Sequence, residues 1–175
     1  MHKLTLDPST TFGWCLLVDD ENKPVSEQRS VRERLFFGTW DLGKKKRRGQ
    51  YAWALWEHFN ALCRSHGIEE DEIQIVLEGE SYGSQKSEAG RRMSAMWLCT
   101  LEMMCERKKL DYPETCPPNK WREAFIDRGT APKEVGLGLE DSARSAARRK
   151  WLKEAVLAAC AERDLKPTND NEADA

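Results

Sequence analysis

Residues 4–16 read LTLDPSTTFGWCL, and the pattern of this stretch indicates how the chain folds. Apolar and polar residues alternate over residues 3–7, which predicts a strand that ends at Asp7. The hydroxyl-rich segment PSTTF is typical of a tight turn, and GWCLLVDD after it is predicted to form a second strand. RLFFGTWDL, at 34–42, predicts a third strand. Three early strands joined by short turns indicate an antiparallel meander.

The remainder of the chain alternates helices and strands. A helix is predicted from about Tyr51 to Ser65. Its apolar stripe is predicted to be Ala52, Trp56, Phe59 and Cys63. The further predicted elements are a central strand at 72–80, a long amphipathic helix to about Lys109, a short edge strand in DYPETCPP, a short helix in NKWREAFI, a loop over 127–141 and a helix over 142–163. We therefore expect an α/β fold with a mixed five-stranded sheet and helices on both faces.

The composition suits one folded domain spanning 1–175. An apolar content of 39% supports a sizeable core, and a net charge of -2 neither requires nor excludes a nucleic-acid partner. The six cysteines show no C-x-x-C spacing, which argues against a zinc site and for reduced thiols. No apolar run approaches the ~20 residues that span a membrane, and Met-His-Lys leads directly into a strand rather than a signal peptide. We expect a soluble, intracellular protein.

Acidic residues stand where two of the predicted strands end. Asp7 ends the first strand, Glu78 ends the strand QIVLE, and Glu80 lies two residues further on the same face. Carboxylates at such positions face the crevice where open α/β sheets bind ligands. If the two strands are neighbours, the acids repel each other unless a divalent cation lies between them, and oxygen ligands suit Mg²⁺ or Mn²⁺. Two such ions can promote hydrolysis of a phosphodiester.

Each acid also has a simpler interpretation. A single acid at a strand end is more often a solvated turn residue, and Asp7 before Pro8 can form an Asx-turn. The terminal segment PTNDNEADA can be a solvated tail. The same segment can also start a helix that places Asp170 and Asp174 on one face, where like charges repel. The combination of acids from three separated segments favours a metal site.

The order of these motifs resembles a known family. LTLDPSTTFGWCL looks like the first strand, turn and second strand of the ribonuclease-H-like nucleases. The succession of Asp7, IVLEG and a terminal DNEADA is similar to the RuvC-type Holliday-junction resolvases, and CPPNKWREAFIDRG resembles their phage-associated branch. The resemblance spans nearly the whole chain. It implies a ribonuclease-H-like fold, a homodimer, Mg²⁺ dependence, symmetric nicking of four-way DNA junctions, and a cytoplasmic location in a bacterial cell or a phage-infected host.

The resemblance also implies roles for particular acids. Asp7 would bridge metal ions, Glu78 would be the acid that ends the fourth strand, and Asp174 would be the last acid of the terminal helix. The family has another acid three residues before the last one, where this chain has Asn171. Asp170 can serve instead, or Asn171 can ligate through its carbonyl, and Glu80 is an alternative to Glu78.

The end of the chain is a second departure from the family. There the terminal acids open a helix that continues past them and packs on the sheet, whereas this chain ends at Ala175. A single turn of helix is marginal in water. We therefore expect a terminal helix cut short, and weak or absent cleavage by the 175-residue chain.

Basic and aromatic residues supply the predicted contacts to DNA. The predicted phosphate contacts are Lys44, Lys45, Lys46, Arg47 and Arg48 in one run, Arg91 and Arg92 after the acid strand, and Arg144, Arg148, Arg149, Lys150 and Lys153 on the last helix. Each group can equally be a solvated face. Tyr82 can stack on an unpaired base, or can be a half-buried loop residue.

Other functions compete with junction cleavage. A nuclease of the same fold can act on an RNA–DNA hybrid or a flap, and Asn171 favours a DNA-binding protein without catalysis. The hydroxyl-rich DPSTTFG also resembles a phosphate loop of actin-type ATPases. Those enzymes need two domains and a second glycine-rich loop, and neither is found in this sequence.

Overall fold

The computed structural model describes residues 1–8, 11–20, 24, 29–44, 47–79 and 88–167. The strands are β1 (His2–Asp7), β2 (Thr11–Leu17), β3 (Leu35–Asp41), β4 (Ile73–Glu78) and β5 (Glu114–Cys116). The helices are the short α1 (Val31–Arg34), then α2 (Arg48–His66), α3 (Glu88–Lys108), α4 (Pro118–Ile126) and α5 (Asp141–Glu162). A 3-10 turn at Glu70–Glu72 precedes β4.

The strands form one mixed sheet in the order β3-β2-β1-β4-β5. β1 pairs antiparallel with β2, and β2 pairs antiparallel with β3, so the predicted antiparallel meander is confirmed. The short turn expected between β2 and β3 is wrong, because α1 lies between these strands. β4 lies parallel to β1, and β5 lies parallel to β4. A parallel partner needs a crossover connection, which α2 and α3 provide. The predicted α/β fold with a mixed five-stranded sheet is therefore confirmed.

One face of the sheet carries the main core and is covered by α2 and α3. Leu4 and Leu6 of β1 are buried there beside Ile75 of β4. Phe12 of β2 contacts Trp97 of α3 edge to face, with ring centroids 4.9 Å apart. The alternation seen in the sequence thus places the large apolar side chains of neighbouring strands on the same face.

The predicted apolar stripe of α2 is partly wrong. Phe59 and Cys63 are buried as expected, but the other buried residues of the helix are Tyr51, Leu55 and Leu62. Trp56 lies at the margin of the core, with the Lys108 ammonium 4.5 Å from its ring centroid. The helix is rotated relative to the prediction because burying the large side chains at 51, 55 and 62 removes more apolar surface than burying Ala52.

The opposite face of the sheet is covered less completely, by α4 and α5. A cavity of about 400 Å³ remains between the sheet and these helices. Its lining includes Thr5, Cys15, Phe37, Val76, Glu78 and Cys160. The buried residues of α5 are Val156, Ala159 and Cys160. The expected loop over 127–141 is a series of turns.

Within the parts of the chain that the structure describes, the helices are too short or too polar to span a lipid bilayer.

Candidate active site

The strand register brings Asp7 and Glu78 together. Leu6 of β1 pairs with Leu77 of β4 in parallel, so the next residues of the two strands lie side by side on the opposite face. Both side chains therefore leave the carboxyl ends of adjacent strands on the same side as the cavity. This is the position where open α/β sheets bind ligands.

The two carboxyl groups interact directly. Burial and then the negative charge of Asp7 raise the pKa of Glu78 to about 7, and a hydrogen bond to Asp7 adds to this increase. The Glu78 side chain is only 19% exposed. Two neighbouring carboxylates cannot both be ionised without a cost, which favours the protonated form of Glu78. A cation in that place would remove the same repulsion.

Two residues of α4 contact Glu78 as well. The indole Nε1–H of Trp121 donates to Glu78 Oε1 over 3.3 Å, and Arg122 Nη2 lies 3.7 Å from the same oxygen. Both lower the pKa of Glu78, but less than burial and Asp7 raise it. Sequence reasoning missed both residues. The signal for both residues would have been the parallel pairing of β5 with β4. This pairing places Glu78 opposite Cys116, just before α4 begins.

The donor atoms of the acid pair suit a hard divalent cation. Carboxylate oxygens are the ligands that Mg²⁺ and Mn²⁺ prefer, and Glu78 is held in a partly buried position beside Asp7. Among the residues that the structure describes, no group of three or more His, Cys, Asp or Glu side chains could hold a metal ion. For such a cation, the described acid pair would supply only part of a coordination sphere.

The other predicted metal ligands cannot be compared with the structure. Glu80, Asp170, Asn171 and Asp174 all lie outside the described residues. Two of the last described residues, Leu165 and Pro167, line the same cavity as Glu78.

The predicted DNA contacts fall into exposed and anchored groups. Lys44, Arg47, Arg48, Arg91, Arg92 and Arg149 are exposed. Arg92 forms an ion pair with Glu88 one turn earlier in α3. Arg148 is half-buried and donates to the carbonyls of Val135 at 3.3 Å and Lys133 at 3.4 Å, so it holds the 127–140 turns against α5. Lys45, Lys46 and Tyr82 lie outside the described residues.

The remaining basic residues of α5 divide in the same way. Arg144 donates to the Leu139 carbonyl at 2.8 Å and pairs with Asp141, so it also anchors the turns. Lys150 and Lys153 are exposed, and Lys150 pairs with Glu154. Arg149 thus remains as an exposed cation of the helix, with its Nε 3.4 Å from the Ser145 carbonyl.

Comparison with known proteins shows similarity in structure. No protein-family model matches the chain, and neither does any curated protein sequence. The structure of T. thermophilus RuvC in complex with a Holliday junction substrate is similar at a TM-score of 0.62 and 13% identity, over 100% of this chain and 88% of that one. A further structure of Thermus thermophilus RuvC gives a TM-score of 0.51 and 14% identity, over 94% of this chain and 97% of that one. The chain therefore has the ribonuclease-H-like fold of the RuvC structures.

Proposed function

We propose that the protein is a metal-dependent DNA endonuclease that cleaves four-way junctions. The observation that carries this proposal is the hydrogen-bonded pair of Asp7 and Glu78, at the carboxyl ends of adjacent parallel strands. The similar T. thermophilus RuvC structure contains a Holliday junction substrate, which supports a junction as the substrate. The resemblance of CPPNKWREAFIDRG to the phage-associated branch supports the same class of enzyme.

The residues of the acid pair would hold Mg²⁺, with Mn²⁺ as a substitute. Asp7 and Glu78 are the described ligands, and we propose that Asp170 and Asp174 complete the site, with Glu80 and Asn171 as alternatives. When bound, Mg²⁺ acidifies a water and stabilises the leaving oxygen of a phosphodiester. Glu78 would bind the cation in its ionised form, and Arg122 favours this form.

DNA would be held by the exposed cations. Lys44, Arg47, Arg48 and Arg91 are proposed to contact phosphates, because such contacts do not depend on base sequence and suit an enzyme that recognises shape. Arg149 is a further proposed contact. A four-way junction has paired arms, so we propose a homodimer that cleaves two strands. We propose that it acts in the cytoplasm of a bacterial cell or a phage-infected host.

The test is cleavage of three matched substrates by the full chain with Mg²⁺. A four-way junction, an RNA–DNA hybrid and a linear duplex of the same sequence are compared at the same salt concentration. We expect only slow cleavage by the 175-residue chain, with the junction cut fastest, and we expect Asp7→Asn to lower the rate at least about 100-fold, to below detection, because a proposed metal ligand is lost. Asp41→Asn is the matched control, because Asp41 ends β3 and its carboxylate accepts from the Gly43 N–H at 2.8 Å.

Three results would contradict the proposal in different ways. Faster cleavage of the hybrid would assign the fold to another substrate. Tight junction binding by a chain that neither cleaves the junction nor binds Mg²⁺ would indicate a DNA-binding protein. Equal activity of the Asp7→Asn and Asp41→Asn proteins would show that the acid pair is not the active site.

A further inference from the structure

Glu78 is held on one of its oxygens by helix α4. The indole of Trp121 donates to Oε1 over 3.3 Å, and Arg122 Nη2 lies 3.7 Å from the same atom. Both side chains belong to an element that the acid motifs do not include. A carboxyl group held in this way presents its remaining ligand positions in a restricted set of orientations.

The backbone around Glu78 makes this contact rigid. β5 pairs with β4 so that Cys116 lies opposite Glu78, and the Gly79 N–H donates to the Cys116 carbonyl at 2.8 Å. Pro117 and Pro118 follow at once and start α4. Trp121 therefore stands one helical turn beyond a strand that is hydrogen-bonded to the strand of Glu78.

Arg122 also contacts the ring of Trp121. Its guanidinium lies 4.8 Å from the centroid of the Trp121 ring, which is within the range of a cation–π interaction. The Arg122 side chain is only 18% exposed. The Trp121 indole thus contacts the Arg122 guanidinium with its ring and the Glu78 carboxyl group with its N–H.

We infer that Trp121 is a positioning residue that orients the Glu78 carboxylate for a divalent cation. The inference rests on the proposed function, since it assumes that Glu78 is a metal ligand. Trp121 acts through Glu78 and has no role of its own in the chemistry. The proposed metal site would therefore require an N–H donor in the first turn of α4 in addition to the acidic residues.

The test separates the N–H from the ring. Trp121→Phe keeps an aromatic ring for packing and for Arg122, but removes the donor. We expect the Mn²⁺ affinity of the full chain, measured by calorimetry at pH 8, to fall about 10-fold, as is usual when a partner of a metal ligand is removed. The melting temperature should stay within experimental error of the wild-type value. Trp151→Phe is the matched control, because Trp151 is also half-buried but lies on α5.

A second measurement tests the contact without any metal. In the Glu78→Gln protein, the indole proton resonance of Trp121 should move more than that of any other tryptophan. An unchanged Trp121 resonance would overturn the contact itself.

The outcomes for the two proposals differ. If the wild type binds Mn²⁺ and Trp121→Phe binds it equally well, the positioning role is wrong and the proposed function stands. Equal losses in Trp121→Phe and Trp151→Phe would indicate a structural effect and would also overturn the role. If the wild type binds no Mn²⁺, the proposed metal site and the positioning role are both wrong.

Discussion

The two faces of the sheet have different physical characters. On the face covered by α2 and α3, Leu4, Leu6 and Phe12 are at most 1% exposed and belong to one continuous core. On the other face, Thr5 and Glu78 line a cavity of about 400 Å³ beneath α4 and α5. Adjacent residues of β1 thus have different surroundings, since Leu4 and Leu6 lie in the core and Thr5 lines the cavity. Most of the packing lies on the first face, which leaves the second free to hold charges that oppose each other.

Two acids with little solvent exposure, Asp20 and Glu78, differ in the charges that lie beside them. Asp20 follows β2, and its carboxylate lies 3.0 Å from Arg34 Nη1 and 3.5 Å from Arg29 Nε. Burial raises the pKa of Asp20, but the backbone N–H of Arg29 and the charge of Arg34 outweigh burial and lower it overall. Glu78 has another acid as its neighbour, and its pKa is raised instead. Asp20 therefore supports the fold, whereas ionised Glu78 opposes it.

The largest expected effect on stability concerns the face of the sheet that α2 and α3 cover. Phe12→Ala should lower the free energy of unfolding by about 3–5 kcal/mol, because Phe12 is fully buried against Trp97. Phe37→Ala on the next strand should cost only about 1–2 kcal/mol, since Phe37 is half-buried and borders the cavity. Urea unfolding followed by circular dichroism measures both values. Equal losses would mean that the two faces are packed alike.

The next effect concerns the pH dependence of stability. Between the ordinary pKa of Glu78, 4.5, and its value of about 7 in the folded chain, only the folded state holds the proton. Stability should therefore fall as the pH rises from about 5 to 8 in the absence of metal. Glu78→Gln should remove this decline and be more stable than the wild type at pH 8 by about 1–2 kcal/mol.

Asp20→Asn is the control for this prediction, with the opposite sign. Its lowered pKa means that the ionised form stabilises the fold, so the substitution should destabilise the protein at pH 8. Thermal unfolding of the three proteins from pH 5 to pH 8 in a chelator decides the matter. A Glu78→Gln protein that is less stable than the wild type at pH 8 would contradict the conclusion that the negative charges of Asp7 and ionised Glu78 repel each other in the folded protein.

The smallest expected effect on stability concerns two neighbouring residues of β4, whose side chains lie on opposite faces of the sheet. Ile75→Val removes a methylene from the packed face and should cost about 1 kcal/mol. Val76→Ile adds a methylene toward the cavity and should gain up to about 0.8 kcal/mol. The same unfolding measurement compares them. Destabilisation by Val76→Ile would indicate that the cavity cannot accept the extra group.

Much of the fold could be predicted because its signals are local. Alternation over residues 3–7 and the apolar run that ends at Glu78 each indicate a strand without reference to the rest of the chain. The side of α2 that faces the core could not be predicted from the sequence. Several stripes of that helix are apolar, and only packing against the sheet decides which one is buried. The assignment of Arg148 met the same difficulty, since its carbonyl partners lie in a distant turn.

The sequence by itself determined the strand order of the meander, the helices and the acids at the strand ends, because these follow from patterns over a few neighbouring residues. Only the tertiary structure decided that the carboxyl groups of Asp7 and Glu78 interact and that Trp121 and Arg122 contact Glu78. These contacts depend on the parallel register of β1, β4 and β5. That register is set by which large side chains fit together across strands far apart in the chain.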